Sequence, residues 1–420
     1  MFLSFASAGR NTVRGAGSRF ALALALAGGA IVTSAAIAPS AYAQNNARAQ
    51  GNSRGFVAAY APLDALVKAE MPNWAAAGAQ FETLVAAIEN EDDRNIAGNL
   101  ALQIGTNTNN PAMQRRGLEM MLQSGKVAPE QIGQFQYYVG TLAFQARDYA
   151  AARTALLAAV AAGYTENEPQ GLILQTYLDE GNLTGGIDYL GTLATSGQAG
   201  ENLYLRVLQK SYDGRLAPES LRATTMLVKA YPTQENWKKG LQVVNDLAEL
   251  DEQGQLDALR LMRATGAMSQ RAEYVRYIEN ADPRIMGNEV LGVLAEGLAS
   301  GELTTDDYYT EVKGIADTRA PQDRADLEAT VREGQSGAAI DASVAGDVLY
   351  SVGDYARAET MYLLAAEKGG DKNVAFTRAG MAQVQQNKYA EAIATLGQVT
   401  GPRQPIAALW ATWAEQKMAG

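Results

Sequence analysis

Four positions of this chain return 34 residues later. Gly346, Tyr355, Ala358 and Tyr362 recur as Gly380, Tyr389, Ala392 and Leu396. The pattern alternates small and large residues in register, so it is not a chance run of alanines. A fixed period between about twenty and fifty residues marks one supersecondary unit stacked on its copies, and it must be settled before any other feature. A chain of 420 residues is too long for one ordinary compact core. Stacking removes that limit, because each unit buries its apolar face only against its neighbours.

The spacing resembles the tetratricopeptide repeat (TPR), a helix-turn-helix unit. In that family a small residue lets helices A and B touch, an aromatic stands at the A–B turn, and a second small residue sits within helix B. The runs GDYARA (353–358) and NKYAEA (387–392) fill the turn and the start of helix B. The same roles fall to Gly140, Tyr149, Ala152 and Leu156 in 133–166. The resemblance implies an all-α fold: a right-handed α-solenoid of TPR-like helical hairpins closed by a C-terminal capping helix.

In chain order, residues 1–43 read as a cleavable signal peptide. Arg10, Arg14 and Arg19 precede an apolar stretch at 20–37, and Ala41-Tyr42-Ala43 is a small-x-small cleavage site, which predicts a mature start at Gln44. The competing reading is a membrane anchor, since about 20 apolar residues suffice to span a bilayer. With this leader the chain resembles exported TPR proteins of Gram-negative bacteria. Residues 44–60 are expected to be a flexible lead-in. Residues 61–132 read as degenerate helical hairpins, with Gly117 at a small position; the acidic run 89–93 reads as a solvated turn and helix start. TPR-like repeats occupy 133–234, the last two weaker than the first. Residues 235–338 keep helical periodicity without the signature and read as three divergent hairpins; an inserted helical domain is the alternative. Two TPR repeats fill 339–406. Residues 407–420 form a capping helix with Trp410 at its fourth position.

The formal charge is −11, and loss of the first 43 residues, which hold three arginines and no acid, leaves −14. So acidic a chain repels phosphate backbones, which argues against a nucleic-acid partner. Cysteine and histidine are both absent. The chain therefore offers zinc no thiolate or imidazole ligand and contains no Ser-His or Cys-His machinery. No GxGxxG, GxxxxGK[ST] or SxxK motif occurs. Acid pairs such as Glu249 with Asp251, or Asp306 with Asp307, could in principle serve an acid-only hydrolase. They sit near expected helix ends, where carboxylates act as caps. No cofactor, metal site or catalytic residue is expected.

In the TPR family the concave groove is lined by helix A. The resemblance places Tyr137 and Phe144, Tyr212, Asp347 and Tyr350, and Met381 at groove positions. Aromatics mixed with amides and hydroxyls suit an extended peptide or a glycan, although Tyr137 and Phe144 could equally be packing residues. The lysines and arginines of a carboxylate clamp are missing from these positions. The sequence thus points to a periplasmic, non-catalytic scaffold that binds a protein or peptide partner and is not an integral membrane protein once its signal is removed. A peptidoglycan- or polysaccharide-associated protein is the second reading.

Overall fold

A computed structural model describes residues 51–419 of the chain. The expected signal peptide and its expected cleavage site lie outside the described residues. Among the described residues every regular element is a helix, and no helix is long and apolar enough to cross a membrane. The described residues divide into two compact units, the first ending at Thr176 and the second starting at Tyr177.

The first unit pairs α1 (Arg54–Val67) with α2 (Trp74–Ala86), α3 (Glu91–Asn107) with α4 (Pro111–Gln123), and α5 (Pro129–Gln145) with α6 (Tyr149–Ala161). The division falls inside α7 (Pro169–Glu180). The expected lead-in stops earlier than residue 60, because α1 already begins at Arg54. Phe56 and Leu63 give α1 a buried face against Phe81, Leu84, Leu100 and Ile104, and that burial outweighs the polar composition around it. The acidic run is also less solvated than its composition suggests. Asp93 is fully buried. It accepts hydrogen bonds from the backbone of Ser53 (3.0 Å) and Glu89 (3.1 Å) and from the Asn52 amide (3.1 Å). Burial pushes its carboxyl up, but these donors outweigh it and hold it below the usual range. α3 and α4 touch through glycine: a Cβ on Gly98 would lie 2.8 Å from the Gly117 carbonyl oxygen.

The second unit continues with α8 (Leu183–Thr195), then α9 (Glu201–Asp213) with α10 (Ala217–Ala230). α11 (Gln234–Leu247) is followed by α12 (Glu252–Ala264), and α13 (Arg271–Ala281) by α14 (Gly287–Ala299). α15 (Asp307–Ser336) is a single long helix. α16 (Ala339–Ser351) with α17 (Tyr355–Glu367), and α18 (Lys372–Gln385) with α19 (Tyr389–Leu396), are the two clear repeats, and α20 (Gln404–Ala419) ends the chain.

The hairpins share one turn geometry. The residue before the second helix's N-cap is left-handed in six of them: Asn109 (φ 51°), Arg147 (60°), Gly181 (82°), Arg215 (51°), Gly353 (86°) and Asn387 (60°). A left-handed residue ends one helix and reverses the chain in a single step. The aspartates that follow Arg147 and Gly353 then cap the next helix, Asp148 accepting from Ala151 N and Asp354 from Arg357 N, both at 3.2 Å. The period also appears between hairpins: the Arg222–Asp188 (2.8 Å) and Tyr212–Asp246 (2.7 Å) contacts each join residues 34 apart.

The sequence expectation for 235–338 changes in one respect. There are two hairpins and one long helix rather than three hairpins, and the segment lies in the same unit as the C-terminal repeats. α15 runs for 30 residues through Pro321. Pro321 is exposed, so the backbone bond that proline removes faces water. The buried row Tyr309, Val312, Ala316, Ala320 and Asp323 continues unbroken past it.

α12 is the centre of the second unit. Residues 256–262 are all buried, the mark of a helix enclosed on every side. Leu256 and Leu259 join Tyr274, Tyr277, Ile278 and Val290. Ala258, Leu261 and Met262 join Trp237, Leu241, Leu349 and Trp410. α20 does more than cover the last repeat, because it returns to α10 and α12. Trp410 Nε1 donates to the Asp257 carbonyl oxygen (3.0 Å), and Gln416 Nε2 to that of Val228 (2.7 Å). The run of hairpins in this unit therefore winds back on itself and closes around α12.

The framework glycines make a paired test. A Cβ on Gly346 would lie 2.6 Å from the Tyr362 ring, whereas one on the exposed Gly314 meets nothing within 4 Å. Gly346→Ala should cost about 1–3 kcal/mol through overpacking, and Gly314→Ala should gain about 0.5–1 kcal/mol through helix propensity. Urea unfolding of the two variants should show shifts of opposite sign.

Candidate functional site

Two charged side chains one turn apart on α12, Asp257 and Arg260, seed a buried polar network. Arg260 makes a two-pronged pair with Glu289 of α14, Nε to Oε1 at 2.8 Å and Nη2 to Oε2 at 2.7 Å. Tyr277 donates to the same carboxylate at 2.6 Å. The Arg260 guanidinium lies 4.5 Å from the Tyr350 ring centroid, a cation–π contact. Beside it, Arg378 of α18 holds Asp347 with contacts of 2.7 and 2.8 Å, and Tyr362 donates to Asp347 at 2.8 Å. Arg378 also reaches Gln253 and approaches Asp257 at 3.5 Å. Arg403 bonds the other Asp257 oxygen and, at 2.9 Å, Asp251.

Burial alone would push the Glu289 carboxyl up. The Arg260 guanidinium outweighs that and holds it below the ordinary carboxylate range. Arg260 is itself held well above its ordinary value; its burial opposes this, and the Glu289 charge prevails. Burial, with the Glu289 charge adding to it, drives the Tyr277 hydroxyl well up, so it stays a hydrogen-bond donor. The pairing of Arg260 with Glu289 and Tyr277 ties α12 to α13 and α14.

Above Arg260 and Glu289 lies a cleft of about 740 Å3. Four cations (Arg260, Arg263, Arg324 and Lys417) and two carboxylates (Glu289 and Glu296) line it. Arg263 is tied to Glu296 at 2.8 and 2.5 Å. Arg324 of α15 is exposed and, among the described residues, has no carboxylate partner. Lys417 of α20 lies 4.4 Å from the Trp413 ring centroid. Tyr355, Tyr389 and Trp413 add half-buried rings, and Asn288, Gln385 and Asn387 add amides.

The sequence-derived groove residues meet different fates. Met381 is fully buried in the core with Leu396 and Trp410 and faces no groove. Asp347 is taken up by Arg378 and Tyr362, and Tyr350 is buried beneath Arg260; only Tyr350 of the three borders the cleft. Closure of the unit around α12 turns these helix faces inward. Tyr212 is half-buried, its hydroxyl bonded to Asp246 and pushed up to about 12, chiefly by burial. Tyr137 and Phe144 remain half-buried in the first unit. Tyr137 contacts the rings of Tyr164 (5.0 Å) and Tyr138 (5.9 Å), and Phe144 that of Tyr149 (5.8 Å). Asp251 and Asp306 are N-caps, accepting from Gly254 N (2.7 Å) and Tyr309 N (3.0 Å). The cleft's cations escape a sequence reading because they come from α12, α15 and α20, outside the recognisable repeats.

No family model matches this chain, and no curated protein matches it. Solved structures do. A chain of the structure of Naa15/Naa10 bound to HypK-THB is 16% identical over 87% of this chain and 68% of its own length, with a TM-score of 0.28. Yeast Tom70 is 9% identical over 87% of this chain and 96% of its own, with a TM-score of 0.21.

Removing the charge of Glu289 should be costly, since it leaves Arg260 buried without its partner. Glu289→Gln should lose on the order of 3 kcal/mol at neutral pH. The folded carboxyl titrates below its ordinary value of 4.5. Its contribution is therefore complete above that pH and drains away as the pH falls through the folded pKa. Urea unfolding at a series of pH values should show a constant gap between wild type and Glu289→Gln at neutral pH, and a shrinking gap below about pH 4.5.

Proposed function

We propose that this chain is a non-catalytic scaffold that holds a protein partner in the cell envelope, and that it reaches the periplasm by way of a cleaved signal peptide. The observation that carries the binding role is the tyrosine cluster of the first unit. Tyr137, Tyr138 and Tyr164 are each half-buried and their rings touch. Gly133 makes room for Tyr164, since a Cβ there would lie 2.9 Å from that of Tyr164. The Tyr164 hydroxyl accepts from the Asn167 amide at 2.8 Å, which fixes the ring's outer end. Partly exposed tyrosines on rigid helices supply large contact area with little entropy to lose, and such residues dominate protein interfaces.

The export half of the proposal rests on the first 43 residues alone. The protein purified from an envelope fraction should begin at Gln44 by N-terminal sequencing; an intact Met1 would remove the periplasmic assignment. Crosslinking in intact cells should join the protein to a specific partner. The double variant Tyr137→Ala, Tyr164→Ala should lower that yield about tenfold, in line with two interface tyrosines of roughly 0.7 kcal/mol each or more. An unchanged yield from a folded variant would remove this surface from the interface.

A further inference from the structure

We infer that the cleft over α12 in the second unit binds a short acidic oligosaccharide, with Arg324 and Lys417 reading its carboxylates. This goes beyond the scaffold reading and does not depend on it.

The floor of the cleft cannot serve as the anion reader. Arg260 is matched by Glu289, and Arg263 by Glu296, each through two hydrogen bonds. What remains is Arg324 on α15, without a carboxylate partner among the described residues, and Lys417 on α20, whose contact is a ring rather than an acid. A planar guanidinium suits two-pronged pairing with a carboxylate, and a lysine supplies a movable point charge.

The rest of the lining selects between anionic ligands. A bound protein segment needs an apolar pocket for an anchoring side chain. Here the aliphatic lining is limited to Ala264, Val352 and Val384. The lining is mostly charged, aromatic and amide: the side chains of Gln385 and Asn387 are exposed, and Asn288 has a buried Oδ1 without a hydrogen-bond partner. Amides donate and accept at once, which suits the repeated hydroxyls of a sugar. The flat faces of Tyr389 and Trp413 offer apolar surface against which a sugar ring can lie. The volume falls in the range of small-ligand clefts, too small for a folded partner. The floor is held by a network spanning α12, α14 and α18, so little ordering is required on binding.

The test is calorimetric titration of the full mature chain with trigalacturonate, with maltotriose as the uncharged control and triglutamate as the acidic peptide. Saturable binding of trigalacturonate is expected, at least tenfold tighter than either control and weaker at high salt. Arg324→Gln with Lys417→Gln should weaken it at least tenfold while leaving thermal unfolding in place, since both side chains are exposed. Gln385→Ala, a separate exposed position, should weaken it without changing its salt dependence. The proposal is overturned by any of four results: no saturable trigalacturonate binding, equal affinity for maltotriose, triglutamate binding as tight, or full affinity in the double variant.

Discussion

One carboxylate with no exposure to water organises the C-terminal unit. Asp257 faces three guanidinium groups: Arg260 one turn along the same helix, Arg378 from α18 and Arg403 from just before α20. Taking an ion out of water is expensive, and such a cluster contributes little net stability against an apolar core of equal volume. What it does supply is an address. A leucine at position 257 would pack against many apolar faces, whereas a buried aspartate is tolerated only where its partners arrive. Two of those partners, Arg378 and Arg403, lie more than 100 residues away in sequence. The Trp410 indole reinforces the same point by donating to the Asp257 carbonyl. We regard register, more than energy, as what this network contributes.

The hairpins themselves were legible because their signal is local. Gly346 and Gly380 sit under Tyr362 and Leu396 as the 34-residue period implies, and Ala152, Ala358 and Ala392 are fully buried. The turn geometry was only half legible. Glycine at 181 and 353 announces a left-handed residue, but Asn109, Arg147, Arg215 and Asn387 adopt the same conformation without announcing it. Asparagine tolerates that region and arginine does so only under tertiary constraint. Pro321, on a solvent face, interrupts the bonding of α15 without ending the helix.

The interior of the second unit was not legible, and the reason is physical. In a helical period, Asp257 and Arg260 look like members of a solvated face beside Leu256, Leu259 and Leu261. Contacts from α13, α14, α16, α18 and α20 enclose that face, and no periodicity within α12 encodes them. For the same reason Asp347, which a groove would expose in an open stack, is half-buried and paired with Arg378, and Met381 is fully buried. Asp93 repeats the lesson on a smaller scale: an acidic run reads as surface until residues 52 and 53 arrive to donate to it.

Closure has a consequence for recognition. The wall of the cleft that carries Trp413 and Lys417 belongs to α20, while the Arg324 wall belongs to α15 and the floor to α12 and α14. α20 is anchored at its start by Arg403 on Asp257 and along its length by Trp410 and Gln416. The contacts that fix the fold of this unit therefore also fix the geometry of its cleft. A ligand touching both walls would bind only the closed unit, and by linkage would stabilise the docking of α20. Opening the Asp257 cluster would release a wall of the cleft and expose the apolar face of α12 at once, so the cleft and the core share one cooperative boundary.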